Sequence, residues 1–361
     1  MAEPSILHID TGSAFRGGQR QLLLLVEQLR DGGIRQAVAC PKASELSKRI
    51  TGVPVIALSP YSLIRKLNYR CLAEAIADHE VNIVHAHDGE AHTLGLLVKL
   101  ARREIRLVVT RRVVFSVSSL LSARFKYRRL VDQYIAISEA VAATLRGIGI
   151  PAARIELIPS SFDLAAIRLA PAGCPLIDDI IRKHRYLIVT AGALTREKDF
   201  ATAIEAFELV SGRVPGTALL ILGEGPQGGR LVEMIVGRQI SNVYLLGQQE
   251  PLAPILKACH LFLLTSISEG LGSAAIEAAA CGLPLVVSKV GGLPEIAEHN
   301  FNGITCYPGQ PQSFADAMID LLSHEEKRRT MAAHSREKAA EFDLRKTVPK
   351  TVNLYKRVLG E

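Results

Sequence analysis

The chain has 361 residues, of which 48% are hydrophobic and 22% charged, and its formal net charge at pH 7 is +7. This length allows two domains with full cores, and the composition is that of a soluble globular protein. No window approaches the roughly 18 uninterrupted apolar residues of a membrane-spanning helix, so that class is excluded.

Alternating strands and helices are predicted through the first half. Strands are expected at 6–9, 37–40, 55–58, 83–85, 108–109 and 134–137. Helices are expected at 18–29, 72–79, 93–101 and 139–146. Such alternation indicates a parallel sheet covered by helices on both faces.

A second series of the same kind follows a proline-punctuated, loop-like stretch at 158–174. Its strands are expected at 186–191, 218–222, 243–246, 261–264 and 285–287. Its helices are expected at 201–210, 227–238, 274–280 and 313–322, followed by a charged helical tail from Glu325. We therefore expect one domain over 1–168, a second over 169–345, and a C-terminal helix over 346–361 that can pack back on the first domain.

The segment from Ser266 to Glu295 carries the strongest functional signal. Glu269 and Glu277 are eight residues apart, and Gly270 and Gly272 lie between them after a buried strand. Ser273 is expected to cap the helix that follows, which Gly282 and Pro284 end. Glycines at a helix N-terminus expose N–H groups that suit phosphate, and carboxylates accept hydrogen bonds from paired hydroxyls. The pattern indicates a nucleotide-sugar, or else an ordinary strand–turn–helix unit with exposed glutamates.

The whole chain resembles the retaining glycosyltransferases of family 4, which have the α/β GT-B fold of two facing Rossmann-like domains with an interdomain cleft. The resemblance is carried by AGALTREKDFATAIEAF, LILGEGP, SEGLGSAAIEAAACGLPLVVSKVGGLPEI and NGITCYP in the second half. RGGQRQ, NIVHAHD and IAISEAV carry it, more weakly, in the first. It implies transfer of a sugar from a nucleotide-sugar, most commonly a UDP-sugar, to an acceptor hydroxyl in lipopolysaccharide, glycolipid or other cell-envelope glycan synthesis.

The resemblance assigns roles to the second half. Glu277 would bind the ribose hydroxyls and Glu269 the donor sugar, so neither glutamate is a nucleophile. Gly270 and Leu271 would offer backbone N–H groups to the donor, and Gly272 would allow close approach of the chain. Glu224 and the loop at 247–249 resemble segments near the nucleotide base.

The diphosphate would be held without a cofactor or metal ion, as the family requires none and the chain has no Asp-x-Asp motif. Lys198 matches the family lysine that neutralises the diphosphate. The chain departs from the family at Ala193, where a second basic residue usually stands. Arg196 could supply that charge, or be a solvated loop residue.

In the first half, His87 matches the family histidine that faces the donor sugar, and His85 is expected to be structural. Gly17 and Gly18 would form the loop that meets the donor phosphate and the acceptor. The reaction implied is front-face substitution, in which the protein supplies positioning and charge stabilisation.

A basic segment from Lys99 to Arg129 contains ten basic residues and one acidic residue, Glu104. Apolar residues are mixed with it over 113–130, so it either lies on an anionic membrane surface or is a basic solvated surface.

Six cysteines without a CxxC pair and the absence of a secretory signal predict a cytoplasmic protein, peripheral at the inner membrane face if the segment binds lipid. Nucleic acid is not expected as a partner, because no recognisable motif accompanies the charge. The alternatives are a sugar-nucleotide epimerase of the same fold and a non-catalytic nucleotide-sugar-binding subunit.

Overall fold

The computed structural model describes residues 3–59, 65–114, 127 and 130–360. The chain divides into two compact units. The first comprises Met1–Ser161 with Leu344–Glu361, and the second comprises Phe162–Asp343. Among the described residues, no helix is both long and apolar enough to cross a membrane.

The first unit is built on a seven-stranded sheet in the order β3-β2-β1-β4-β5-β6-β7, with every pair parallel. Its strands are β1 (Ser5–Ile9), β2 (Arg35–Pro41), β3 (Val55–Leu58), β4 (Ile83–Ala86), β5 (Arg106–Arg111), β6 (Gln133–Ala136) and β7 (Ile155–Leu157). The central strands are buried on both faces, as the apolar runs predict.

Helices connect these strands. They are α1 (Gly17–Asp31), α2 (Glu45–Arg49), α3 (Arg65–Asp78), α4 (Gly89–Ala101) and α5 (Glu139–Gly147). Asp88 caps α4 and Ser138 caps α5 through their side chains. Such caps fix where each helix starts and therefore what the preceding loop presents at the carboxyl edge of the sheet.

The last helix of the chain, α15 (Leu344–Leu359), belongs to the first unit. Leu354 and Tyr355 are fully buried in a core cluster with Ile6, Ile83 and Val108. Tyr355 also places its hydroxyl 2.6 Å from the Nδ1 atom of His85. The helix therefore completes one face of the first sheet.

The second unit is built on a six-stranded parallel sheet in the order β10-β9-β8-β11-β12-β13. Its strands are β8 (Tyr186–Ala191), β9 (Thr217–Leu222), β10 (Val243–Leu245), β11 (Leu261–Leu264), β12 (Leu285–Ser288) and β13 (Gly303–Cys306). Its helices are α6 (Leu164–Leu169), α7 (Asp178–Lys183), α8 (Phe200–Ser211), α9 (Gly228–Gly237), α10 (Ala253–Lys257), α11 (Ser273–Ala280), α12 (Leu293–Ile296), α13 (Pro311–Ser323) and α14 (Glu325–Ala339).

The two sheets confirm the predicted α/β class. The observed elements differ from the predicted ones at the sheet edges and at the helix ends. The prediction missed two edge strands, β7 and β13, and five short helices, α2, α6, α7, α10 and α12. The expected cap at Ser273 is wrong, because Gly272 is the N-cap and Ser273 is the first helical residue of α11. Gly272 has φ +103, a conformation that glycine adopts without steric cost. Most of the basic apolar segment at 113–130 lies outside the described residues.

Candidate active site

The turn that leads into α11 lies at the carboxyl edge of the second sheet, directly after β11. Gly270, Leu271 and Gly272 are buried there, and a side chain at Gly272 would begin 2.5 Å from Leu293 Cδ2. Gly272 has φ +103, which glycine adopts without strain, and a side chain there would also have to displace the buried Leu293 methyl group. The carboxyl edge of a parallel sheet is where such folds bind ligands.

Glu269 and Lys198 form an ion pair across this edge. The Lys198 ammonium contacts Glu269 Oε2, and the Ser266 hydroxyl lies 3.3 Å from the same oxygen. The Lys198 side chain is 22% exposed and that of Glu269 is 14% exposed, so both charges are partly desolvated. Because an ammonium carries three N–H donors, Lys198 can hold Glu269 and still donate to a ligand oxygen.

The loop after β12 fixes the main chain of Glu269. A Cβ atom at Gly291 would stand 1.7 Å from the carbonyl oxygen of Glu269, and Gly291 has φ +53. No side chain fits between these two backbone segments. Gly291, which was not predicted as a site residue, therefore permits the close approach that places Glu269.

Glu277 lies on α11, and its side chain is buried, with only 3% of the residue exposed. A buried carboxylate needs hydrogen-bonding partners, and Glu277 has interactions within the protein. It is therefore no surface helix carboxylate, which was the alternative interpretation of the sequence.

The loop after β8 carries Ala193, Arg196 and Lys198. A 3-10 turn spans Arg196–Lys198, and Asp199, with φ +47, caps α8 by accepting from the backbone N–H of Thr202. Lys198 is half-buried and packs along Gly192, whereas Arg196 is exposed. The two cations therefore differ: one is held in place, and the other projects from the turn.

Glu224 is exposed in the loop after β9, next to the loop after β10. The Gly223 N–H donates to the Gly247 carbonyl over 2.7 Å, and Gln248 N lies 3.5 Å from Glu224 Oε1. The Leu194 N–H donates to the Glu224 carbonyl over 2.9 Å. Three successive loops of the second sheet are thus joined by hydrogen bonds.

In the first unit, Gly17 and Gly18 are the first two residues of α1. The prediction that they form a loop before the helix is therefore wrong. Asp10, at the end of β1, accepts from Gln19 on the first turn of α1 over 2.9 Å. Burial raises the pKa of Asp10, and the Gln19 hydrogen bond opposes that shift. The Cδ atom of Arg112 lies 3.5 Å from where a Cβ at Gly18 would stand.

His87 lies at the end of β4, in a buried group with His8 and His85. His87 Nε2 is 3.1 Å from His8 Nδ1, and His87 Nδ1 is 3.5 Å from an Arg112 nitrogen. Burial lowers the pKa of His8 to about 3, and burial followed by the neighbouring His85, His8 and Arg112 holds the pKa of His87 well below its ordinary value. These rings are therefore neutral at pH 7.

Three histidines this close could in principle share a metal ion. The ligand atoms of His8, His85 and His87 lie within 4.8 Å of one another. However, His85 is already hydrogen-bonded at both ring nitrogens, to Tyr355 over 2.6 Å and to Thr110 over 2.7 Å. A guanidinium beside His87 also disfavours a second cation. Hydrogen bonding accounts for the group better than metal coordination.

Comparison with known proteins shows which family the chain belongs to. The family model described as glycosyltransferase family 4 matches residues 15–166, and the model described as glycosyl transferases group 1 matches residues 178–338. The chain belongs to the family 4, group 1 glycosyltransferases.

Curated members of the family match over part of their length. N-acetyl-alpha-D-glucosaminyl L-malate synthase of Bacillus anthracis is 31% identical over 183 residues, which is 50% of this chain and 48% of that protein. A GDP-mannose-dependent alpha-(1-6)-phosphatidylinositol dimannoside mannosyltransferase of Mycobacterium tuberculosis is 29% identical over 161 residues, 43% of this chain and 42% of that protein. The chain thus spans about half the length of these relatives.

Solved structures share the fold over 98% or more of the chain. Anabaena HepE, solved in complex with UDP-glucose, aligns with a TM-score of 0.84 at 22% identity, covering 98% of this chain and 99% of that one. A glycosyltransferase from Rickettsia africae aligns with a TM-score of 0.87 at 17% identity and covers all of both chains. This family member therefore has the GT-B fold that the sequence predicted.

The structure brings together, within the second unit, Lys198, Glu269 and the turn Gly270–Gly272 of the predicted site. Within the first, it brings both His87 and Gly18 next to Arg112. Four residues at these places were not predicted: His8, Arg112, Ser266 and Gly291. The catalytic and binding roles of the predicted residues stay predictions.

Proposed function

We propose that this family member is a retaining, metal-independent glycosyltransferase that moves a sugar from a nucleotide-sugar to an acceptor hydroxyl. The observation that carries the proposal is the ion pair between Lys198 and Glu269 beside the glycine turn of α11. A cation suits a diphosphate and a carboxylate suits sugar hydroxyls, so the pair offers adjacent groups for the two halves of a nucleotide-sugar.

The proposed roles follow from this pair. Lys198 stabilises the negative charge that develops on the departing diphosphate, and such electrostatic stabilisation is usually a large part of catalysis. Glu269 orients the donor sugar, and Glu277 binds the ribose. Gly270 and Leu271 offer backbone N–H groups to the donor, and Glu224 lies toward the nucleotide base. We assign front-face substitution, in which the acceptor hydroxyl attacks from the side that the diphosphate leaves.

A UDP-sugar is the donor we propose. HepE, which shares the fold, is solved with UDP-glucose, but the Mycobacterium relative is named as GDP-mannose-dependent. Thermal-shift measurements with UDP-, GDP- and ADP-sugars should therefore give the largest stabilisation with a UDP-sugar. A larger shift with a GDP- or ADP-sugar would assign a different donor, and no shift with any of them would remove the nucleotide-sugar proposal.

The acceptor we propose is a glycolipid, lipopolysaccharide or other envelope glycan, reached by a cytoplasmic enzyme at the inner face of the membrane. Support comes from the basic segment of Lys99–Arg129 and from exposed apolar residues around its described part, Leu100 and Val113, which are 52% and 54% exposed. The protein should sediment with anionic liposomes at low salt and stay in solution with neutral ones. Equal behaviour with both would remove the membrane part alone.

Ala193 favours a second candidate, a non-catalytic subunit that binds nucleotide-sugars. Turnover separates the two, because a binding subunit has none to lose. A transferase releases nucleoside diphosphate in proportion to glycosylated acceptor, and Lys198→Ala should slow that release strongly. An epimerase would instead release free sugar without an acceptor.

A further inference from the structure

We infer that His8, supported by Gln36, is a positioning residue that fixes the tautomer of His87 and, through His87, holds the guanidinium of Arg112 in place. The inference rests on the proposed function for its kinetic consequence, because it concerns the site to which His87 belongs. It rests on the hydrogen bonds of the first unit for its structural content. The polar groups involved are Arg112, His87, His8 and Gln36, of which the first three are linked by contacts of 3.5 Å and 3.1 Å.

The outer end of this row of groups is Arg112. An Arg112 nitrogen lies 3.5 Å from His87 Nδ1, and a guanidinium can donate hydrogen bonds but never accept them. His87 Nδ1 must therefore carry a lone pair. A neutral imidazole has one N–H, so the proton of His87 is on Nε2 and points to His8 Nδ1, 3.1 Å away.

The inner end of this row leads to Gln36. Since His8 Nδ1 accepts from His87, the proton of His8 is on Nε2. Gln36 donates its amide N–H to the carbonyl of Val26 over 2.7 Å, which leaves the amide oxygen of Gln36 as an acceptor. His8 Nε2 and Gln36 Oε1 are both buried, and neither has a hydrogen-bonding partner among the described residues, so a donor at His8 Nε2 and an acceptor at Gln36 Oε1 would satisfy each other. A Gln36 hydrogen bond also raises the pKa of His8 against the larger effect of burial.

Arg112 and Gln36 favour the same tautomers, in which His87 and His8 are each protonated at Nε2. Arg112 requires a lone pair at His87, and Gln36 offers an acceptor to His8. The two ring nitrogens of His87 are then engaged by His8 and Arg112, so a sugar hydroxyl that contacts His87 would have to replace the 3.5 Å contact with Arg112. Arg112 is only half-buried and its guanidinium has five N–H donors, so Arg112 can contact His87 and still donate to a substrate oxygen.

Nitrogen NMR on protein labelled at histidine tests the tautomers without reference to activity. At pH 7, His8 and His87 should each show a protonated Nε2 and an unprotonated Nδ1, with signals assigned from single-histidine variants. A proton on Nδ1 of His87, a charged ring, or stoichiometric zinc released on denaturation would overturn the inference. This experiment decides the structural claim even if the protein has no transferase activity.

Kinetics test whether His8 acts through Arg112. His8→Leu removes the acceptor for His87, whereas His8→Asn keeps an amide oxygen near the place of Nδ1. We expect His8→Leu to lower kcat/KM by about tenfold or more and His8→Asn by less than about threefold. In an Arg112→Ala background, His8→Leu should have almost no further effect, because residues that act in one network are not additive. Equal losses in both backgrounds would show a merely structural role and overturn the positioning role.

Discussion

The position of Glu269 depends on the absence of a side chain at Gly291, and Gly291→Ala tests this dependence. The new Cβ would stand 1.7 Å from the Glu269 carbonyl oxygen, whereas real Cβ atoms essentially never come within 3.0 Å of another heavy atom. One of the two backbone segments must therefore move by about 1.3 Å or more. A displacement of about 1 Å at a reacting group can cost about a hundredfold in rate.

A matched control separates this displacement from the cost of backbone conformation. Gly309 has φ +68, close to the φ +53 of Gly291, but a Cβ there would meet nothing within 4 Å. Both alanine variants should lose about 1 to 3 kcal/mol of unfolding free energy for the left-handed conformation. Gly291→Ala should lose about 1 to 3 kcal/mol more for overpacking.

The assays are urea unfolding and release of nucleoside diphosphate under saturating donor. We expect Gly309→Ala to keep its turnover and Gly291→Ala to lose about a hundredfold. If the two variants lose equal stability and keep equal turnover, the close approach of Gly291 to Glu269 does not position Glu269 for the proposed reaction.

Three further outcomes are expected. Lys198→Ala should lower kcat by about 100- to 1000-fold, and Arg196→Ala, at an exposed position, by less than tenfold; equal losses would contradict the unequal burial of the two cations. Glu277→Gln should weaken nucleotide-sugar binding in calorimetry by about 1.5 to 3 kcal/mol, whereas unchanged affinity would remove the ribose role. The folded pKa of His8, about 3, lies below its unfolded value of 6.5, so the unfolded state binds more protons and stability falls as pH falls below 6.5. Between pH 6.5 and pH 5 protonation of His8 in the unfolded state should lower the free energy of unfolding by about 1.6 kcal/mol. His8→Asn should reduce this dependence on pH in urea titrations.

The strands of both sheets could be predicted where they are buried on both faces. Such strands read as uninterrupted apolar runs, as in β8 and β9. The edge strands β7 and β13 were missed because their sequences IEL and GITC contain a charged or a flexible residue. The equally short edge strands β3 and β10, VIAL and VYL, are wholly apolar and were predicted. The cap of α11 was mispredicted because side-chain preference at Ser273 says nothing about the left-handed backbone at Gly272.

The candidate site was predictable where its residues follow one another along a loop. Contacts between distant residues were not, because they depend on strand order. His8 and His87 are 79 positions apart, and one histidine in the run SILHI resembles any core residue. The register of β1 against β4, which places His8 opposite His85, would have revealed the group.

The ion pair between Lys198 and Glu269 also helps to explain how the site can work with alanine at position 193, where the family usually has a basic residue. Without ligand, Glu269 balances the charge of Lys198, so this partly buried edge carries no uncompensated ammonium, which would be costly. In the complex that we propose, sugar hydroxyls donate to Glu269 while phosphate oxygens accept from Lys198, so each group exchanges one partner for another. A diphosphate nevertheless carries more negative charge than one ammonium offsets. Since position 193 supplies none, Arg196 on the exposed turn is the nearest cation in sequence that can supply the rest, and its exposure lets it reach a ligand without leaving a buried partner unpaired.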